Sequence, residues 1–512
     1  MSETVKRYVR VGIVVALIVA FFLAMTINLE STPPLWWDEG WTLTVARTWV
    51  EQGHYGRLLM GQLAPPGLEA ALPVTAAVAL SFKLFGVGVW QGRMVGVVFA
   101  LGAFALLYHL TSKVYQPKTA AIALASSILL APHFECHPIF SGRQVLAEMP
   151  ALFYILAGYC FFLSGLCRSF WFFPFAMLSW GIALFTKLQV IPFLLFSLTV
   201  PIIISGLYRQ RRNAALWGMG LLGSFLTWQG LLVLRQLFMQ NYSFPPTPVP
   251  GIYEVTAFVP LVYVRFTALI LSLFFGLSAL LGQAYAVGKL VVNWEKESKD
   301  VDLAMIRISL LVLASSWFAW YTLFSSGFRR YLLPPLFLSS IFVALMLQDI
   351  GRKVILPMLA KEHASSRWVF RYGRKTFCSI MVLAIVVLTA GRTLQILYQT
   401  YRWKGMEIQI VTAFLNTSTS PRSLIETYDP ELFFFLDRPY HYPSDQVHIE
   451  LIRRISLKQD VPIPYDPLAA NPDYLVVGPF SKVWQLYDAV LARGEFRQVL
   501  STNRYKVYER IR

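Results

Sequence analysis

Long apolar runs separated by short basic connectors most constrain how this chain can fold. Each run approaches or exceeds the length that a helix needs to cross a hydrocarbon core of roughly 30 Å. The 512 residues are 56% hydrophobic, with a mean hydropathy of +0.54. The pattern predicts a mainly α, polytopic transmembrane bundle of about 11 spans. The predicted spans are residues 9–28, 90–112, 118–133, 149–166, 169–186, 189–207, 214–236, 259–285, 306–324, 331–348 and 376–397.

The basic residues indicate on which side of the membrane each connector lies. Lys6, Arg7 and Arg10 precede the apolar segment 11–29, and further basic clusters lie at 209–212 and 352–375. Because cytoplasmic loops are enriched in Lys and Arg, the N-terminus is expected in the cytoplasm and the C-terminus outside. The net charge of +17 then reflects membrane orientation and attraction to anionic lipids. No stripe of basic residues suggests a nucleic-acid partner.

Residues 400–512 differ from the apolar part, because their composition is mixed and is punctuated by Gly, Pro and Asp. Strand-like runs occur at 432–436, 474–477 and 505–508, and residues 483–491 look helical. We therefore predict a transmembrane domain at 1–399, with a large first outer loop at 29–89, followed by a small extracytoplasmic α/β domain at 400–512. Within the loop, residues 65–90 are interrupted by prolines and fit either an interfacial helix or a pair of partial spans.

Two adjacent carboxylates, Asp38 and Glu39, follow the first run among three tryptophans. A cytoplasmic N-terminus places this pair at the outer membrane face, where ionisable groups are costly and usually functional. Neighbouring residues of a helix point about 100° apart, so only one of the two would face a substrate. An ordinary loop with a charged turn is the alternative interpretation.

The later outward connectors carry further acids and, unexpectedly, cations. The second contains the segment 133–137, Arg143 and Glu148; the third contains Lys187; and the fourth contains Arg329-Arg330-Tyr331. The outer face of a membrane protein is normally poor in positive charge. Cations at these positions therefore indicate that an anion binds there. The alternative is that each side chain extends towards lipid headgroups.

Six short motifs occur in one order along residues 1–350. They are Asp38-Glu39, Pro65-Pro66 with Leu84-Phe85-Gly86, Gln91-Gly92-Arg93, Gly142-Arg143 through Glu148, Gly181 through Lys187, and Arg330-Tyr331-Leu332-Leu333-Pro334. In these motifs the chain resembles the GT-C superfamily of polyprenyl-phosphate-sugar glycosyltransferases, specifically the protein O-mannosyltransferase and aminoarabinose transferase group (glycosyltransferase families 39 and 83). The C-terminal region matches only in kind, as an extracytoplasmic appendage.

The resemblance implies inverting transfer of a sugar from a polyprenyl-phosphate donor to an acceptor hydroxyl on a lipid, glycan or protein outside the membrane. A sugar phosphoester already carries a good leaving group, so the site needs a base and cations rather than a strong acid. Asp38, the first acid of the family's pair, is the expected base, and Glu39 is its neighbour. Glu148 matches the second acidic position, where the family more often has Asp, and would orient the acceptor or a metal.

The same resemblance suggests which residues hold the donor phosphate. The candidates are Lys187, Arg329, Arg330, Tyr331 and Arg143, of which Arg143 could instead pair with Glu148 or Asp38. The family usually has Lys before the Pro-Pro pair, whereas this chain has Ala64. One phosphate-binding cation is therefore missing or supplied from elsewhere.

Some members of the superfamily use a metal, and Glu135, His137 and Glu148 are candidate ligands for a divalent cation. Oxygen ligands would favour manganese or magnesium, and histidine would favour zinc. The alternative is that His133 and His137 are interfacial residues near a helix end. Two other function classes also stay open, namely a secondary transporter or lipid flippase and a non-catalytic scaffold whose outer domain binds partners.

Overall fold

A computed structural model of the protein describes residues 19–67, 71–240, 251–256, 258–259, 261–297, 299–352, 366–403 and 405–511. Residues 19–26 are helical. The other α-helices are Trp37–Gln52, Leu72–Phe85, Val89–Val114, Pro117–Leu129, Pro138–Gly142, Glu148–Cys167, Phe172–Thr186, Val190–Leu207, Arg211–Gln240, Ile252–Thr256, Val262–Val292, Trp294–Glu297, Val301–Phe324, Leu333–Ile350, Ser366–Tyr401, Glu407–Ser418, Asp445–Leu451, Pro479–Val483 and Asp488–Leu491.

The predicted multi-pass membrane protein is confirmed, whereas the predicted count of 11 spans is not. Eight helices of the described residues are long and apolar enough to cross a membrane. They are Val89–Val114, Glu148–Cys167, Val190–Leu207, Arg211–Met239, Val262–Val292, Val301–Phe324, Arg329–Ile350 and Ser379–Tyr401.

Two of the three shorter apolar helices account for two of the three predicted spans that are not among the eight. Predicted spans 118–133 and 169–186 form Pro117–Leu129 and Phe172–Thr186, of 13 and 15 residues. Residues 65–90 contain one helix of 14 residues, Leu72–Phe85, with proline in its first turn. Residues 9–18 of the first predicted span, 9–28, lie outside the described residues.

Close backbone approach holds the helices of the bundle together. At Gly158, a Cβ atom would lie 2.3 Å from the Trp180 ring, and at Gly282 it would lie 2.6 Å from the Val343 backbone nitrogen. Small residues at such crossings let apolar helices pack tightly where lipid supplies no hydrophobic driving force. The helix Glu148–Cys167 lies in the middle of this core, and its ends are therefore held in fixed positions.

The C-terminal region forms a small domain around a five-stranded sheet. The strands of the described residues are β1 Arg57–Leu59, β2 Gln62–Ala64, β3 Ile425–Thr427, β4 Tyr440–His441, β5 Tyr474–Val477, β6 Phe496–Ser501 and β7 Lys506–Arg510. Strands β1 and β2 form a separate hairpin in the first outer loop. The C-terminal sheet has the order β4-β3-β5-β7-β6, in which β3 and β5 are parallel and β7 is antiparallel to both of its neighbours.

The sequence-based strand predictions were right at β5 and close at β7, and wrong at residues 432–436. That apolar run begins in the 3₁₀ turn Pro430–Leu432 and continues through turns. Four of its five side chains are buried, Phe435 is half-buried, and the run packs against the first outer loop rather than pairing in the sheet. The predicted helix 483–491 is instead two short helices, Pro479–Val483 and Asp488–Leu491.

The first outer loop and the C-terminal domain share one hydrophobic core. At Gly40, a Cβ atom would lie 2.6 Å from Cα of Glu431, so the helix Trp37–Gln52 packs directly on the turn Pro430–Leu432. Trp41 and Phe433 are in ring contact across this junction, with centroids 5.0 Å apart. The helix that begins beside Asp38 is therefore held between the bundle and the C-terminal domain.

Candidate active site

Asp38 and Arg330 form an ion pair that joins the first outer loop to the bundle. Asp38 lies in the first turn of the helix Trp37–Gln52, where the helix dipole favours a negative charge. Arg330 lies in the 3₁₀ turn Arg329–Leu332, immediately before the helix Leu333–Ile350. Its Nη1 atom donates to Oδ2 of Asp38, and both side chains are 24% exposed. The pair is therefore fixed by its backbone positions and is still reachable by a ligand.

A second ion pair, between Glu148 and Lys187, lies close to the first. Nζ of Lys187 donates to Oε1 of Glu148 at 2.6 Å, and the side chains are 14% and 3% exposed. Glu148 begins one helix and Lys187 ends the next, so each charge is favoured by its helix dipole. Glu148 also lies within electrostatic range of Arg330. The two pairs thus form one cluster of two carboxylates and two cations.

Tyr331 lies between the two cations of this cluster. Nζ of Lys187 is 5.5 Å from the centre of its ring, and the Arg330 guanidinium is also 5.5 Å from it. The face of an aromatic ring attracts cations, so this contact adds to the ion pairs that hold the two side chains. Tyr331 itself is buried.

A third, looser group lies beside the cluster. Nη1 of Arg329 is 3.1 Å from Nε2 of His133 and 3.9 Å from Oε1 of Glu135. Burial lowers the pKa of His133 to about 4, so the imidazole is neutral near pH 7. Burial also raises the pKa of Glu135. Arg329 is 44% exposed, which makes it the most accessible of the three cations.

Glu39, the other half of the acidic pair, points into the protein rather than into the cluster. Its side chain is fully buried and accepts hydrogen bonds from Nε and Nη2 of Arg93, at 2.8 and 2.7 Å. The backbone N–H of Val145 donates to the same carboxylate at 3.1 Å. Arg93, which belongs to the Gln91-Gly92-Arg93 motif, is therefore the counter-ion that anchors this helix end.

Arg143 is also turned away from the cluster. Its guanidinium donates to the carbonyl oxygens of Ala24, Ile27 and Thr32, at 2.5 to 3.0 Å. It lies 5.0 Å from the ring centre of Tyr401. These contacts fix the end of the first helix and the chain that leads to Asp38.

The position that carries Ala64 is buried and lies at the end of β2, opposite Arg57 in the hairpin. The Arg57 guanidinium is bound to both carboxylate oxygens of Asp445, at 2.9 and 3.1 Å, and it covers the ring of Trp41. The cation nearest to the missing lysine in the hairpin register is therefore engaged with the C-terminal domain.

The proposed metal ligands do not fit a divalent cation in this arrangement. Both ring nitrogens of His137 are engaged, because Nε2 donates to the carbonyl of Ile128 at 2.9 Å and Nδ1 accepts from the N–H of Ile139 at 3.2 Å. Glu148 is bound to Lys187. Among the described residues, no three His, Cys, Asp or Glu side chains are grouped so that they could hold a metal.

Sequence reasoning missed the contribution of the C-terminal domain to this site. The His448 ring stacks on Trp37, the residue before Asp38, with ring centroids 4.3 Å apart. The hydroxyl of Tyr428 is hydrogen-bonded to Nδ1 of His448. Asp38 and Arg330 both lie within electrostatic range of this imidazole, and burial lowers its pKa to about 4. No local motif signals the contact, because it joins residues about 400 positions apart.

These features define a polytopic membrane protein with a charged cluster where the bundle meets the outer loop and the C-terminal domain. No protein-family model and no curated protein sequence matches the chain. Solved structures do match it over its whole length, and all of those compared have low sequence identity. The likeness therefore concerns the fold.

The chain is similar to ArnT from Cupriavidus metallidurans bound to undecaprenyl phosphate, with 16% identity, 98% of both chains covered and a TM-score of 0.62. The apo state of ArnT gives 16% identity, 99% coverage of both chains and a TM-score of 0.59. The apo oligosaccharyltransferase of Archaeoglobus fulgidus gives 11% identity and a TM-score of 0.55, covering 100% of this chain and 75% of that one. The predicted fold, a transmembrane helical bundle with a small C-terminal sheet domain, is thereby confirmed.

Proposed function

We propose that the protein is a membrane glycosyltransferase that moves a sugar from a polyprenyl-phosphate donor to an acceptor hydroxyl, with inversion at the anomeric carbon. The observation that carries this proposal is the pairing of Asp38 with Arg330 beside Glu148 and Lys187. The cluster offers a carboxylate for a proton and cations for a phosphate within one accessible site. ArnT, which has the same fold, has been captured with undecaprenyl phosphate.

The donor phosphate would bind to the two cations of the cluster and to Arg329 beside it. Arg329 is the most exposed and its carboxylate contact is the longest, so it would meet the phosphate first. Arg330 and Lys187 already lie over the Tyr331 ring and would complete the phosphate contacts. Charge-assisted hydrogen bonds to phosphate are strong, and arginine can make two at once. These contacts would also stabilise the charge that builds up on the leaving polyprenyl phosphate.

Phosphate binding would free Asp38 to act as the base. In the structure, the carboxylate of Asp38 is held by Arg330. When Arg330 turns towards the phosphate, Asp38 becomes available to take the proton from the acceptor hydroxyl. The hydroxyl oxygen then bonds to the anomeric carbon as the bond to the phosphate oxygen breaks. A positioned base of this kind contributes about 10²- to 10⁴-fold in rate.

The remaining charged residues of the family motifs have supporting roles in this proposal. Glu148 would orient the acceptor, and the hydrogen bond that it accepts from Lys187 would hold its carboxylate in place. Glu39 and Arg143 would hold the backbone around Asp38, since both are saturated by internal partners. No step of the proposed reaction runs through a metal ion.

We also propose that the N-terminus is cytoplasmic and that the cluster and the C-terminal domain, residues 400–512, are extracytoplasmic. The basic segments at 209–212 and 352–375 support this orientation. The donor would then reach the cluster from the outer leaflet, and the acceptor would approach between the bundle and the C-terminal domain.

The experiment is an analysis of polyprenyl-linked sugars extracted from three strains: wild type, a deletion strain and one expressing Lys187→Met. We expect one lipid-linked sugar to accumulate in the deletion strain and in the variant, and to disappear when the wild-type gene is restored. An unchanged lipid-linked sugar pool, together with loss of transport of an unmodified solute, would instead support a transporter. Immunoblotting of the variant controls for its expression.

A further inference from the structure

A second polar site lies at the opposite end of the bundle from the cluster. The helix Glu148–Cys167 begins at the cluster and runs for 20 residues. At 1.5 Å per residue it is about 30 Å long, which is the thickness of the hydrocarbon core. Its last residues and the turn that follows therefore lie at the other membrane interface. The next helix, Phe172–Thr186, returns to the cluster and ends before Lys187.

An open cavity of about 300 Å³ lies at this turn. It is lined by residues 165–170, Phe173, Arg212 and Leu216. Arg168 and Arg212 are both exposed, and neither forms an ion pair with another described residue. No carboxylate lines the cavity; Asp300 and Asp302 lie within electrostatic range of Cys167 but outside it. The cavity therefore carries two positive charges that no acid in its lining balances.

The surroundings of the cavity strengthen its preference for an anion. The helix Arg211–Gln240 starts with two arginines and has no acidic residue in its first turn. Cations at a helix N-terminus are unfavourable unless an anion compensates them. The helix Phe172–Thr186, which starts on the other side of the cavity, also lacks an acid in its first turn.

The rim of the cavity is apolar and exposed. Phe170, which lines the cavity, is 60% exposed, and the next residue in the chain, Trp171, is 79% exposed. Tryptophan and large apolar side chains at a membrane interface contact the region where headgroups meet acyl chains. A ligand that fits both the rim and the cavity has a negative headgroup attached to apolar chains.

We propose that this cavity binds the phosphodiester headgroup of an anionic phospholipid in the leaflet opposite the cluster. Arg168 and Arg212 contact the phosphate, and the acyl chains lie along Phe170 and Trp171. Basic pockets between helices at this interface are known to suit such headgroups. The bound lipid clamps the turn between the two helices whose far ends carry Glu148 and Lys187. The proposal does not depend on the proposed reaction.

Cys167 allows a direct test with the unaltered protein, because it lines the cavity and is exposed. The protein is placed in nanodiscs of phosphatidylcholine alone or with cardiolipin added, and maleimide labelling of Cys167 is followed by peptide mass spectrometry. We expect cardiolipin to slow the labelling by about tenfold, as expected for a headgroup held by two arginines. Equal labelling rates in the two lipid mixtures would overturn the proposal.

A pair of matched variants tests the two arginines. Arg168→Gln/Arg212→Gln removes both cations of the cavity, whereas Arg209→Gln/Arg211→Gln removes the same charge from exposed neighbours that do not line it. We expect the first variant to lose cardiolipin protection of Cys167 and the second to keep it. Equal loss in both variants would show a non-specific charge effect and contradict the site.

Free inorganic phosphate is the other ligand that Arg168 and Arg212 could bind through the same charge. Inorganic phosphate is therefore added to the phosphatidylcholine nanodiscs in place of cardiolipin. We expect no protection of Cys167 by phosphate, because the apolar rim contributes only when acyl chains are attached. Protection by phosphate equal to that by cardiolipin would contradict a lipid site.

Discussion

Lys187 and Glu148 lie 2.6 Å apart, at the far ends of two helices that are joined by a turn on the other side of the bundle. The contact closes this hairpin at the cluster. Both side chains are largely buried, so the pair is part of the folded structure before any ligand arrives. In the proposed reaction, a donor phosphate would compete with Glu148 for Lys187, and this competition would link substrate binding to the packing of the two helices.

Breaking the Glu148–Lys187 pair on one side should destabilise the protein. In Lys187→Met, the buried Glu148 carboxylate loses its counter-ion, and removal of one member of a buried pair typically costs about 3 kcal/mol or more. In Lys187→Met/Glu148→Gln, neither charge of this pair is left, so most of that stability should return. Thermal unfolding followed by tryptophan fluorescence measures both variants.

Activity separates the structural role of this pair from its catalytic role. We expect the double variant to stay inactive although its stability is restored, because the proposed reaction needs Lys187 for the donor phosphate. Recovery of transfer together with stability would show that the pair only holds the helices.

Glu39→Gln should affect folding rather than the reaction. The Glu39 carboxylate is fully buried and holds Arg93 through two hydrogen bonds. Loss of its charge leaves the Arg93 guanidinium without a counter-ion, at a cost of about 3 kcal/mol. We expect a lower yield and a lower unfolding temperature, with near-normal turnover per folded molecule. A stable Glu39→Gln protein without activity would instead place Glu39 in the reaction.

The contact between Trp37 and His448 should matter for activity through the position of Asp38. His448→Phe keeps an aromatic ring against Trp37, whereas His448→Ala removes it. A stacked aromatic pair contributes about 0.5–1.5 kcal/mol, which limits the effect of its loss to about tenfold. We expect transfer to fall by up to that factor in the alanine variant and to stay near wild type in the phenylalanine variant. Equal activity in the two variants would show that the ring at position 448 does not influence Asp38.

Glu431 should make the stability of the C-terminal domain depend on pH. Burial and the neighbouring Asp429 raise the pKa of Glu431 from 4.5 to about 8, and burial raises the pKa of Asp429 to about 6. The folded state therefore holds more protons than the unfolded state between about pH 4.5 and 8. The contribution of Glu431 is fully present below pH 4.5 and is lost as the pH rises to about 8.

Unfolding temperatures at pH 5 to 8.5 test this dependence. We expect the wild type to lose stability with rising pH more steeply than Glu431→Gln, by at most about 1.4 kcal/mol per pH unit. Glutamine matches the protonated carboxyl, which accepts a hydrogen bond from Tyr505 at 2.8 Å. Parallel curves for the two proteins would show that Glu431 is ionised in the fold.

The fold was largely predictable because membrane helices are encoded by local hydropathy. The longest apolar runs formed spans, whereas 118–133 and 169–186 formed helices of only 13 and 15 residues. Helix length at these two positions depends on packing and on where the chain must turn, which hydropathy alone does not report. The run 432–436 has the composition of a strand, and its burial against the helix Trp37–Gln52 is a tertiary effect.

The candidate site was predictable only as a set of motifs. Asp38, Glu148, Lys187, Arg329, Arg330 and Tyr331 come together in the structure, from four separate segments. Glu39 and Arg143 are charged like the residues of the cluster and lie in equally good motifs. Both are nevertheless hydrogen-bonded to partners inside the protein instead. The direction of a side chain depends on the helix that carries it, and a motif does not contain that information. The roles of all these residues stay predictions.

The most direct test of the central claim is the activity of Asp38→Asn, measured with the lipid-linked sugar that accumulates in the deletion strain. The matched control is Glu51→Gln, which removes an exposed carboxylate from the same helix. We predict that Asp38→Asn lowers the turnover number by at least about 10²-fold, while binding of the same lipid-linked sugar and the control's activity stay unchanged. Turnover of Asp38→Asn near the wild-type level would contradict the assignment of Asp38 as the base.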